Sequence, residues 1–198
     1  MQSPIPIESR ALGTLAYIRR SIDSSGSMAV PGMAGIVMGV IGVIATILAS
    51  VPKGVAHWLQ IWLVAAIVAL AVGGATMARQ AAADGHARYL GPVRKFVLCL
   101  CPALFAGAVL TAVLWRADAT QLIPGVWLLL YGCAVLSAST VTVRRTMRLI
   151  SIMGVLFMVL GLLAFASPPR MHTAILGLGF GALHSVFGIW IGRVSYVD

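Results

Sequence analysis

The chain has 198 residues, of which 60% are hydrophobic and 10% charged, and its formal net charge is +9. A soluble domain of this size needs a charged surface that this composition does not supply. With the apolar stretches set aside, only roughly thirty N-terminal residues and short loops are left, which excludes a separate soluble catalytic domain.

In chain order, residues 8–23 (ESRALGTLAYIRRSID) place Ala11, Leu12, Leu15, Ile18 and Ile22 on one helical face, with Arg10, Thr14, Tyr17, Arg20 and Ser21 opposite. This spacing predicts an amphipathic helix that lies along membrane headgroups or docks a cytoplasmic protein partner. SSGS at 24–27 breaks it. The first 28 residues are too long and too polar for the n-region of a signal peptide, so the apolar stretch after them is read as retained.

Six stretches then carry no charged residue: 24–52, 54–78, 96–115, 119–143, 149–169 and 171–192. Each reaches the length of about 20 residues that crosses a bilayer core about 30 Å thick. The expected fold is an all-α bundle of six transmembrane helices over 29–193, after a cytoplasmic segment 1–28 and before a tail 194–198. Placing the N-terminus inside puts Arg10, Arg19, Arg20, Arg79, Arg88, Arg94, Lys95, Arg144, Arg145, Arg148 and Arg193 on the cytoplasmic side. Only Lys53, Arg116 and Arg170 then face out. That bias predicts both termini in the cytoplasm and assigns the charge to topology and lipid headgroups, with no nucleic acid as partner.

Within the stretches, small residues form stripes: Gly32, Gly35, Gly39 and Gly42 in the first, Gly177, Gly181, Gly188 and Gly192 in the sixth. Stripes of this kind let helix backbones approach closely. Pro102 is alone among the prolines in falling well inside a span, where it is expected to kink the third helix and free the Leu98 carbonyl. Cys99 and Cys101 are two residues apart and point about 200° away from each other on a helix, so they do not share a metal; with Cys133 they read as small buried hydrophobes. Trp58, Trp62, Trp115 and Trp127 fall toward the outer ends of their spans and Trp190 toward an inner end, the distribution of aromatic belts. Val30-Pro31-Gly32 followed by Gly39 is echoed by Ile123-Pro124-Gly125 followed by Gly132. This is a faint signal of two three-helix halves.

Chemistry-bearing groups are scarce. No Asp, Glu, Lys or Arg falls inside a span, which disfavours proton relays and voltage sensing. No carboxylate pair, nucleophile–base pair or zinc-binding cluster is visible, so neither an enzyme activity nor a metal or other cofactor is expected. His57 and His172 fall at outer span ends and make a poor metal site by themselves, and His86 lies in a basic loop. The GxGxG of 177–181 sits in an apolar span and reads as helix packing. His184 is the ionisable residue at mid-span. It is aligned with Gly177, Gly181 and Gly188, and a buried imidazole there needs a partner such as Tyr131, Ser137 or Ser139. It is either a ligand site, with Ser185, Tyr131 and Ser137 beside it, or one interhelical hydrogen bond worth about 1 kcal/mol.

Five segments carry a resemblance: IRRSIDSSGSMAVPGMAG (18–35), GPVRKFVLCLCPALFAGAVLTAVL (91–114), IPGVWLLLYG (123–132), MGVLFMVLG (153–161) and GFGALHSVFGIWIGR (179–193). Together the chain resembles a family of small bacterial integral membrane proteins with six spans and no assigned activity. The resemblance implies the bacterial inner membrane and a sensing or regulatory role, and it brings no catalytic motif. The leading expectation is a non-enzymatic binding or regulatory module for a small apolar ligand, a lipid or a protein partner. The alternative is a transporter or facilitator for a neutral or apolar solute with a midplane site at His184.

Overall fold

The computed structural model describes residues 13, 30–51, 53–83 and 86–195; for 80–83, 86–90, 92 and 195 it describes the backbone alone. The helix expected over 8–23 lies outside the described residues, apart from Gly13. The described residues form α1 (Gly32–Ala49), α2 (Val55–Ala83), α3 (His86–Arg116), α4 (Ile123–Ser139), α5 (Arg144–Ala166), α6 (His172–Leu176) and α7 (His184–Ser195). A π-helical segment, Gly177–Leu183, joins α6 to α7 into one sixth span. Among the described residues, six helices are long and apolar enough to cross a membrane.

Helix ends follow local chemistry. Pro31 precedes α1 and Pro124 sits in the first turn of α4, where a missing N–H leaves no bond unmade. The turn after α1 uses Gly54 at φ +90°, a backbone conformation open to glycine and strained for other residues. The last turn of α5 is closed by a side chain: His172 Nε2–H donates to the carbonyls of Ala164 (3.1 Å) and Ser167 (3.3 Å). The Ala164 carbonyl also accepts from the Ser167 N–H and hydroxyl, and the imidazole adds a donor at a helix end where carbonyls outnumber their backbone partners. His172 is therefore committed to holding the α5–α6 corner. His172→Ala is expected to lower stability by about 1–2 kcal/mol, and His172→Gln, which keeps a donor, by less. Thermal unfolding in a mild detergent measures both.

Packing rests on two glycine-lined seams. The first joins α1 to the sixth span. A Cβ on Gly35 would lie 2.9 Å from the Gly188 Cα, one on Gly188 would lie 2.6 Å from the Ile36 N, and one on Gly32 would strike the Gly192 backbone. A Cβ on Gly39 would strike the Ser185 Oγ, and at Gly177 and Gly181 it would meet Thr46 Oγ1 at 2.6 Å and Val43 Cγ2 at 3.0 Å. The second seam joins α4 to α5, where a Cβ on Gly132 would lie 2.7 Å from the Gly154 carbonyl and one on Gly161 would lie 3.0 Å from that of Gly125. Close backbone approach supplies the dispersion contact that drives association where lipid is as apolar as the helices.

Span three packs on α4 as the sixth span packs on α1, and α2 packs on α1 as α5 packs on α4. Exchanging the first three spans for the last three leaves that pattern of neighbours unchanged. The exchange breaks down at the edges. The sixth span and α5 share buried Phe157, Leu176 and Phe187, whereas α2 and α3 barely touch. Only 6% of the apolar window of α2 or α3 is buried, against 33% to 50% for the other spans.

Candidate functional site

The sixth span departs from α-helical geometry over Gly177–Leu183, immediately before His184. A π turn takes an extra residue and rotates the remainder of the span by about 100° relative to a regular helix. Three glycines in seven residues lower the steric resistance to that widening. Sequence spacing aligned His184 with the glycine stripe; the structure instead gives that line to Ser185. The seam facing α1 runs Gly181, Ser185, Gly188, Gly192. His184 lies one position around the helix, because steps of three and four residues straddle the line and the π segment sets which one falls on it.

His184 thus faces α4 and α5. Its Nε2 lies 2.7 Å from the Tyr131 hydroxyl, and its ring packs edge-on to Phe157 at 5.3 Å and stacks at 6.1 Å with Phe180. Tyr131 contacts Phe157 at 4.8 Å and Phe180 at 5.2 Å. Phe157 is fully buried and His184 is 3% exposed. The carbonyls of Gly179 and Phe180 approach the imidazole, but neither is aligned well enough to partner Nδ1. Trp62 Nε1 is the other buried side-chain polar atom without a hydrogen-bond partner among the described residues.

Tyr131, Phe180 and His184 form one wall of a cavity of about 320 Å³, within the size range of small-molecule sites. Met38, Ile41 and Gly42 of α1, Trp62 to Leu70 of α2 and Ala103 to Thr111 of α3 complete it, and the lining is almost wholly apolar. At one end, where α2, α4 and the sixth span begin, Trp58 and Trp127 stack with ring centroids 6.2 Å apart and planes 10° apart. Their indole N–H groups donate to Thr173 Oγ1 (2.9 Å) and Thr111 Oγ1 (2.7 Å), tying α2 to the sixth span and α4 to α3. Beyond the other end, Met77, Val93, Phe96, Cys99, Leu100, Ala138 and Val141 pack together. The lining on α2 stops at Leu70, nine residues or about 13 Å short of Arg79.

No family model, curated protein or solved structure matches this chain.

The other residues singled out by sequence fall elsewhere. Ser137 is exposed, with its carbonyl accepting from Thr140. Ser139 bonds Leu136 and Ser151, and Ser185 donates to the Gly181 carbonyl in the α1 seam. Of the partners proposed for His184, only Tyr131 reaches it. The helix assignment of α3 runs unbroken through Pro102, which is exposed and outside the cavity lining. Trp115 and Trp190 are 42% and 47% exposed, but Trp62 is 3% exposed and Trp58 and Trp127 pair inside the bundle. A belt reading of those three is corrected: each indole is drawn inward by a ring or a threonine partner. Sequence reasoning also missed Phe157 and Phe180, whose only signal was an aromatic residue at mid-span, and Thr111, a hydroxyl near the end of its span. Among the described residues no three His, Cys, Asp or Glu side chains cluster.

Proposed function

We propose that this protein is an intramembrane binding module for a small, mostly apolar molecule, held in the cavity between α1, α2, α3, α4 and the sixth span. The observation that carries the reading is an apolar cavity of about 320 Å³ whose lining includes a few polar groups, the Tyr131–His184 pair, the Trp127–Thr111 pair and the indole of Trp62. Apolar lining with a few convergent polar groups is the pattern of a ligand site, where the lining supplies affinity and the polar group sets orientation. An ionisable residue near the centre of a span is retained against a desolvation penalty. The cationic side chains suit an inner-membrane protein with both termini in the cytoplasm. Occupancy would then be read by a cytoplasmic partner, the N-terminal segment and basic loops being the surfaces available to it.

Transport of a neutral solute is the second reading, favoured by the exchangeable packing pattern of the two halves, which is the arrangement of many transporters. Binding is common to both readings and is tested first. Protein extracted gently from its own membranes is compared by native mass spectrometry with a variant in which Ala103→Phe and Gly107→Leu fill the cavity. The unaltered protein is expected to carry a discrete apolar molecule that the filled variant loses at least tenfold. The same complement of bound molecules in both proteins would dismiss the cavity as a site.

A further inference from the structure

The cavity has closed ends and an open side. The Trp58–Trp127 stack lies across one end, and the cluster around Phe96 and Met77 fills the space beyond the other. On the flank, three lining residues of α2 are also among the exposed apolar side chains: Leu63 at 41%, Ile67 at 67% and Leu70 at 54%. Ala66 and Ala108 line the cavity and are exposed too. All five sit near the middle of helices that cross a membrane by length and hydropathy, Val55–Arg79 and Val93–Arg116. The gap between α2 and α3 therefore opens at the depth of hydrocarbon, while among the described residues packed side chains stand at both ends.

A molecule that comes through such a gap is dissolved in the bilayer. It is uncharged, because no Asp, Glu, Lys or Arg lines the cavity to pair a charge taken out of water. The polar pair narrows the head group. An imidazole nitrogen is a far stronger acceptor than a phenol oxygen, so the 2.7 Å contact is made by the Tyr131 O–H to an unprotonated Nε2, and the imidazole proton stays on Nδ1. The lone pairs of the tyrosine oxygen then remain for an incoming donor. We propose that the cavity takes a lipid-dissolved alcohol, admitted sideways between α2 and α3, whose O–H donates to Tyr131. This rests on the binding reading above and adds the route and the head group.

The test uses the full chain in lipid nanodiscs, with quenching of its tryptophans by 12-bromo-1-dodecanol and by 1-bromododecane, which lacks the hydroxyl. Trp62 and Trp127 line the cavity and report entry. The alcohol is expected to quench saturably and to bind about 3- to 10-fold tighter than the bromoalkane, the range of one net hydrogen bond. Tyr131→Phe should erase that difference. Ile67→Phe with Ala108→Phe narrows the gap, and should slow association of both probes, with and without the hydroxyl, by a similar factor of about ten, with dissociation slowed in the same direction. A gate alters both rates together, whereas a contact in the bound state alters mainly dissociation. Saturable quenching with unchanged rates in the narrowed variant would overturn the sideways route. Equal affinity of the two probes, or an equal effect of Tyr131→Phe on both, would overturn the alcohol. Quenching that never saturates in the unaltered protein would bring down the binding reading itself.

Discussion

Gly188→Val will separate α1 from the sixth span and lower the stability of the bundle by about 3 kcal/mol, at the upper end of what overpacking does in a tight core. The added Cβ would lie 2.6 Å from the Ile36 N and 2.9 Å from the Gly32 carbonyl, and both are backbone atoms of a helix that cannot turn aside. The only relief is to move one helix off the other, which also parts the neighbouring contacts at Gly32, Gly35 and Gly39. Gly192→Val is the control. It lies on the same seam, yet a Cβ there meets nothing within 4 Å, so it should lower stability by no more than about 1 kcal/mol. Unfolding in a denaturing detergent series, followed by helicity, compares the two. Equal losses would mean that small residues at this seam are not what holds α1 in place.

The seam was legible in the sequence because glycine spacing at three and four residues is a one-dimensional signal of close approach. Gly35, Gly39, Gly181 and Gly188 all fall on it. The six spans were legible for the same kind of reason, since length without charge is counted along the chain. The site was legible only in part. His184 stood out as the ionisable group at mid-span, and Tyr131 was one of three hydroxyl partners at comparable depth. Choosing among them requires the azimuth of each helix. A π segment shifts that azimuth, and no periodicity argument that assumes 3.6 residues per turn can track it. Trp62, Trp58 and Trp127 failed differently. They were read as lying toward span ends, but position along a span does not tell whether a ring faces lipid or a neighbouring helix. The cavity depends on α2 and α3 standing apart, which is a property of pairs of helices and leaves no mark on either one alone.

The pair at the cavity wall supports a sharper expectation, because stability and binding should part company there. Tyr131→Phe leaves His184 with both ring nitrogens unpartnered in an apolar core, and His184→Leu leaves the tyrosine hydroxyl without its 2.7 Å partner. Each single change should lower stability by about 2 kcal/mol, the penalty of an orphaned buried polar group. The double change removes donor and acceptor together and keeps apolar volume against Phe157 and Phe180. It should therefore lie within about 1 kcal/mol of the unaltered protein, far from the sum of the two singles. If the bond served only to fix α4 against the sixth span, the double variant would also retain whatever molecule the cavity holds. If Tyr131 instead meets a ligand, the double variant will fold as well as the parent and still lose the ligand as thoroughly as Tyr131→Phe does. A stable double variant that keeps its ligand would reduce the pair to an interhelical bond. A stable double variant stripped of it would separate the role of these two side chains in binding from their role in folding.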